Sequence, residues 1–307
     1  LTRIVAVYFP KASHWVFLFA MLSPFESIYS VVLLAEVLTA LLLVLTAFFL
    51  LTFHGIKKWI LSGITLGLCC LTRDIYLLLC LVIIFPWLLF GLGNLKYKLF
   101  TSFILLFSMF LVISPWTVRN FYQTDDFILI SKGRFGYGLW LGTWAKDWQY
   151  KEEDIYLERF ISGTTEIHPD NIFRKKALTR ITEDPFNVLK TYLVRAPLLW
   201  LGTRFDIFTL NKNYFPRESK SFYLIKVFFY ILNLSFILLC LLGSVIVLRK
   251  KNPLIYLFLP IIYTAFIYMP FESFENRYSQ PVYPFILIFA GVAFSLIIKQ
   301  INLRRNN

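Results

Sequence analysis

The sequence predicts an all-α polytopic membrane protein, with about eight transmembrane segments and a small, mostly helical domain between the fifth and sixth. Three observations carry that prediction. Hydrophobic residues make up 58% of the 307-residue chain, well above the roughly 45–50% of a soluble domain. Apolar runs of about 18 or more residues recur, the length that crosses the hydrocarbon core of a bilayer. Aromatic residues reach 19% and gather where apolar runs meet polar ones, as interfacial belts require.

Taken in order, the expected spans are 4–22, 27–52, 59–72, 74–93, 99–116, 222–248, 252–269 and 281–298. Pro10 and Lys11 interrupt the first, which reads as two short pieces or one kinked helix. The third is short and carries Gly63 and Gly67, so a tilted or incomplete crossing is expected. These runs divide the chain into an N-terminal bundle over 1–116, a membrane-associated domain over 117–221 and a C-terminal bundle over 222–307. The chain opens on Leu1 within hydrophobic sequence, with no charged leader region or cleavage signal, and is expected to be a fragment lacking an N-terminal part.

Alternating the spans sorts the connections into two sets. One holds Arg3, Lys57, Lys58, Lys96, Lys98, Arg249, Lys250, Lys251, Lys299, Arg304 and Arg305, without any Asp or Glu. The positive-inside rule makes that face cytoplasmic. The other set has mixed signs and holds the domain, so the chain is expected to cross the cytoplasmic (inner) membrane with its site on the extracytoplasmic face. The net charge of +13 is then largely topological and no sign of nucleic-acid binding. Cys69, Cys70, Cys80 and Cys240 all sit in apolar runs and read as small buried hydrophobes. The three histidines form no ligand pattern, so neither a metal nor another cofactor is expected to be held by this chain.

The extracytoplasmic junctions gather polar residues. "SPFES" supplies Glu26, "LTRD" supplies Arg73 and Asp74, and "SPWTVRN" supplies Arg119 and Asn120. "FESFENRYSQPVYP" supplies Glu272, Glu275, Arg277 and Tyr278. Arginine at membrane depth on the face that disfavours positive charge has two explanations. It pairs with a neighbouring carboxylate, as Arg277 with Glu275, or caps helix-end carbonyls. Alternatively the three arginines line a polar cavity for an anion, since a guanidinium fork donates two parallel hydrogen bonds to phosphate and keeps its charge. Glu36 reads as lying about three turns into the second span, protonated or paired for packing, and is not among the site candidates. His14, beside Trp15, reads as a satisfied interface histidine, and His54, before the basic "GIKK" loop, as inert.

In the 117–221 domain, "FILIS" is β-rich. Gly133, Gly136, Gly138 and Gly142 alternate with aromatic residues, as in a tight aromatic-lined loop on the membrane surface. Residues 169–182 read as an amphipathic helix with Ile172, Phe173, Ala177 and Ile181 on one side. Pro185 suits the first turn of the next helix, whose apolar face is long enough to lie in the membrane surface.

The segments "GITLGLCCLTRDIYLL", "SPWTVRNFYQTDDFILISKGRFGYGLWLGTW" and "FENRYSQPVYPFILIFAG" together resemble bacterial integral-membrane glycosyltransferases of the GT-C fold. These form the protein-mannosyltransferase-like superfamily that includes the aminoarabinose transferases of lipid A. The resemblance implies a GT-C-like bundle and an enzyme that moves a sugar from a polyprenyl-phosphate donor to an extracytoplasmic acceptor, whether lipid, glycan or protein. It implies that the catalytic carboxylate lies in a first outer loop absent from this chain, and it leaves room for a divalent metal in a longer parent. Under it Arg73, Arg119 and Arg277 bind the lipid phosphate. Glu26, Asp74, Asn120, Glu275 and Tyr278 orient those arginines or contact the sugar. The competing reading is a transporter or flippase of a lipid-linked glycan, whose basic residues would line a path through the bundle rather than gather at one depth.

Overall fold

A computed structural model describes residues 1–30, 35–131, 135–143, 169–202, 220–271 and 276–305, with the side chains of Glu26, Tyr29 and Pro169 excepted. Among these residues every regular element is helical and no strand occurs. The β-rich "FILIS" stretch, 127–131, runs without strand pairing. The helices are α1 (Thr2–Tyr8), α2 (Ser13–Leu22), α3 (Pro24–Ser30), α4 (Ala35–Thr52), α5 (Gly55–Thr72), α6 (Leu79–Phe90) and α7 (Leu95–Thr124). They continue with α8 (Phe135–Gly142), α9 (Pro169–Glu183), α10 (Pro185–Arg195), α11 (Lys220–Arg249), α12 (Phe258–Tyr268) and α13 (Tyr283–Arg305).

Five of the described helical stretches are long and apolar enough to cross a membrane: Ala35–Thr52, Gly55–Thr72, Leu95–Thr124, Lys220–Arg249 and Asn276–Arg305. The chain is therefore read as a multi-pass membrane protein. The other expected spans are shorter for identifiable reasons. Pro10 cannot donate to a helix, and α1 gives way there to a 3-10 turn over Pro10–Ala12. Single 3-10 turns, Asp74–Leu78 and Pro253–Leu257, precede α6 and α12. That leaves α-helices of 12 and 11 residues, about 18 Å or less against a hydrocarbon core of about 30 Å.

The chain divides into two compact units. One comprises Leu1–Ser131, Leu201–Thr264 and Arg277–Asn307; the other comprises Lys132–Trp200 and Ala265–Asn276. Helix α13 is the centre of the first unit. Its window is 72% buried, against 33–44% for the other candidate spans, whose remaining apolar side chains are exposed as lipid-facing surfaces would be.

Side-chain registers fix the directions of the first unit's helices. Thr39 and Thr72 share a hydrogen bond of 3.1 Å, and Thr46 and Thr65 one of 2.8 Å, so α4 and α5 run antiparallel. Gly63 packs on Leu105 and Ser108, and Gly67 on Met109 and Val112, so α5 and α7 run parallel. A Cβ on Gly67 would meet the Met109 carbonyl at 2.7 Å, and the pair of glycines permits this approach rather than shortening α5. One end of the unit gathers Tyr8, whose hydroxyl donates to the Leu51 carbonyl at 3.0 Å, and Lys11, whose carbonyl accepts from Ser295 at 3.3 Å. The opposite end gathers Phe25 on Tyr283, at 5.3 Å between rings, with Arg73 and Thr117.

In the second unit, the glycine-rich stretch over 135–142 is helix α8 and not the expected loop. Leu139, Trp140 and Leu141 bury against Phe173 and Ala177 of α9, with Ile181 beside them, the apolar face the periodicity predicts for α9. A Cβ on Gly142 would meet the Pro270 carbonyl at 1.8 Å, so its glycine reflects a close backbone approach. Gly133 lies outside the described residues. Asp184 caps α10 by accepting from the Asn187 N–H at 3.4 Å, with Pro185 following in the first turn. Arg195, 2% exposed, donates to the Gly142 carbonyl at 2.5 Å and to the Phe271 carbonyl at 3.2 Å.

Candidate functional site: an arginine and glutamate cluster at the mixed-charge end

Arg73 is placed by the end of α5. Its backbone leaves the helix at φ −147°, ψ 106° while its N–H still donates to the Cys69 carbonyl at 2.9 Å. From there the guanidinium reaches the first turn of α4, where Nη2 donates to Glu36 Oε1 in an ion pair. The Arg73 side chain is 19% exposed and Glu36 fully buried. The second carboxylate oxygen, Glu36 Oε2, is buried with no hydrogen-bond partner among the described residues. A buried carboxylate oxygen without a donor is costly, and here it sits beside a guanidinium at the end of a helix bundle.

Tyr278 joins a second arginine to this pair. The Arg73 guanidinium lies 5.5 Å from the Tyr278 ring centroid and that of Arg277 lies 5.1 Å from it, while Arg277 Nη2 donates to the Tyr278 hydroxyl at 3.2 Å. Two cations on one phenol ring are held by its negative face. Each guanidinium carries five N–H donors in a fixed fork, a geometry that matches the oxygens of a phosphate. The arrangement suits an oxyanion with several acceptor oxygens.

Glu36, expected to be protonated or paired within the bundle and left out of the candidate site, is paired with Arg73 of the site. The antiparallel Thr39–Thr72 register puts Glu36 level with Arg73. Arg73 thus pairs with Glu36 and not with its sequence neighbour Asp74, whose Oδ2 accepts from the Ser131 hydroxyl.

Arg119 is near the same end of α7 but engaged differently. It is exposed, stacks 4.6 Å over the Trp116 ring and lies 3.5 Å from Asn120 Oδ1, which is the geometry of an interface anchor. Around it, "SPWTVRN" binds the returning chain. Trp116 Nε1 donates to the Ile130 carbonyl at 2.9 Å and Thr117 Oγ1 to Leu129 at 2.7 Å; Asn120 Nδ2 donates to Ile128 and Ile130 at 3.1 and 3.0 Å. Helix α7 passes through Pro115 to Thr124. The Leu111 carbonyl that Pro115 cannot serve accepts from the Ser114 hydroxyl at 3.0 Å. Glu26 lies in α3 with its side chain outside the description, and Glu272 and Glu275 fall outside the described residues.

The cluster therefore comprises Glu36, Arg73, Arg277 and Tyr278, all within the first unit. No family model matches the chain. Neither the curated proteins nor the solved structures return a match.

Proposed function

We propose that this chain serves a membrane glycosyltransferase of the GT-C kind, which moves a sugar from a polyprenyl-phosphate donor to an acceptor on the extracytoplasmic side of the cytoplasmic membrane. The observation that carries the reading is the sharing of the Tyr278 ring by Arg73 and Arg277, with Glu36 paired to Arg73. In direct displacement at the anomeric carbon the leaving group is the lipid phosphate. Charge grows on its oxygens as the glycosidic bond breaks, so preorganised cations that tighten on it accelerate the reaction. Arg73 and Arg277 take that role. Glu36 fixes Arg73. The base that deprotonates the acceptor is assigned to no residue of this chain.

The test is transfer of a radiolabelled sugar from polyprenyl phosphate in membranes containing the longest natural chain that carries this sequence. Arg277→Gln lowers kcat at least tenfold if the guanidinium stabilises the leaving phosphate. Unchanged turnover, or absence of any sugar release by the unaltered protein, refutes the reading.

A further inference from the structure

A second polar site lies at the opposite, basic end of the first unit, and we propose that it holds the phosphate of an anionic phospholipid headgroup. The break at Pro10 creates it. Phe9 leaves the helix at φ −138°, ψ 72°, the 3-10 turn follows, and Lys11 is displayed on the rim of a cleft of about 810 Å³. Lys250, at the end of α11, and Lys299, on α13, line the same cleft, and all three lysines are exposed. The Ser295 hydroxyl donates to the Lys11 carbonyl at 3.3 Å and so ties the broken helix to α13. The Lys250 ammonium lies 5.2 Å from the Phe9 ring.

The charge there is one-sided. None of the 18 acidic residues falls in 1–25, 37–73, 75–124, 219–271 or 276–307, which are the stretches that build this end. Three lysines line one cleft without a carboxylate, and like charges so placed repel one another unless an anion enters. Trp15 and Leu303 add apolar walls. Inorganic phosphate makes no use of such walls, whereas the glycerol and upper acyl carbons of a phospholipid do. Basic clefts between transmembrane helices at the cytoplasmic surface suit such headgroups, with each lysine contributing about 1 kcal/mol, or roughly fivefold in affinity. This site is independent of the arginine cluster and of the enzyme reading.

The experiment measures lipid retained by the purified full chain after exchange into nanodiscs of phosphatidylcholine and phosphatidylglycerol. Retained lipid is counted by native mass spectrometry. The unaltered protein holds phosphatidylglycerol in preference to phosphatidylcholine, and each of Lys11→Gln, Lys250→Gln and Lys299→Gln lowers that preference about fivefold. Lys57→Gln and Lys96→Gln, at the same end but outside the cleft, leave it unchanged. Millimolar inorganic phosphate does not displace the lipid. Equal retention of the two lipids overturns the proposal, as does an equal loss in the control variants. Displacement by inorganic phosphate overturns the lipid as the source of the anion.

Discussion

Removing Arg73 alone should harm the bundle more than removing it together with Glu36. In the structure Glu36 is fully buried and Arg73 is its ionic partner. Arg73→Met therefore leaves a buried carboxylate without its counter-charge, which costs about 3–5 kcal/mol. Glu36→Leu leaves a mostly buried guanidinium without its carboxylate, at a comparable cost. The double variant, Glu36→Leu with Arg73→Met, replaces the pair by apolar side chains of similar volume, which is often neutral or stabilising. The double should thus lie closer to the unaltered protein than either single does. Reversible unfolding in mixed detergent micelles, read by tryptophan fluorescence, gives the four free energies of the cycle. Free energies that add within about 0.5 kcal/mol would mean that the two groups do not interact in the folded bundle, and the geometry assigned to the cluster would be wrong.

Two further predictions concern the second unit. Arg195→Met strands the carbonyls of Gly142 and Phe271 and should cost about 3 kcal/mol or more. Hydrogen exchange in 135–143 and 265–271 checks this, and a change under about 0.5 kcal/mol would contradict it. Burial raises the Tyr192 phenol above its ordinary value of 10.0, with nearby Arg195 opposing in part. The unfolded chain then ionises first. The contribution to stability is fully present below about pH 10 and is lost as pH rises through the folded value. Subtracting the ultraviolet titration of Tyr192→Phe from that of the unaltered protein should show a phenol titrating above pH 10. Ionisation at or below 10 would contradict the burial. Because the Tyr192 hydroxyl is buried without a partner among the described residues, the same variant should unfold at no lower a temperature.

Much of the fold was legible because bilayer-length apolar runs and the charge of short connections are properties of composition. The α9 face and the Pro185 helix start were readable from periodicity and turn chemistry. Span count was less so, since hydropathy does not report where a Pro10 or a Pro253 exchanges α-helix for a 3-10 turn and shortens the next α-helix. The glycines of α8 looked like a loop because a sequence cannot distinguish a glycine needed for a turn from one needed for close packing, as at Gly142. At the site, Arg73, Arg277 and Tyr278 stood out because they sit at span junctions in the set of connections that also carries Asp and Glu. Glu36 did not, because its partner Arg73 lies 37 residues away on the neighbouring helix. The threonines at 39, 46, 65 and 72, equally spaced on α4 and α5, were the signal that could have set the antiparallel register and placed Glu36 opposite Arg73. "SPWTVRN" hid its use for a different reason: Trp116, Thr117 and Asn120 bind backbone carbonyls, and carbonyls carry no sequence signature.

The central claim is that Arg73 and Arg277 bind a lipid phosphate, and the most direct measurement compares two lipids that differ only in that group. Binding of polyprenyl phosphate and of the corresponding polyprenol to the purified protein, followed by quenching of intrinsic tryptophan fluorescence, isolates the phosphate contribution. The account predicts that the phosphorylated lipid binds at least about tenfold tighter, since a hydrogen bond to a charged group contributes about 1.5–3 kcal/mol. It also predicts that Arg277→Gln removes most of that preference while leaving polyprenol binding unchanged. Equal binding of the two lipids by the unaltered protein, or a preference that survives Arg277→Gln, would contradict it.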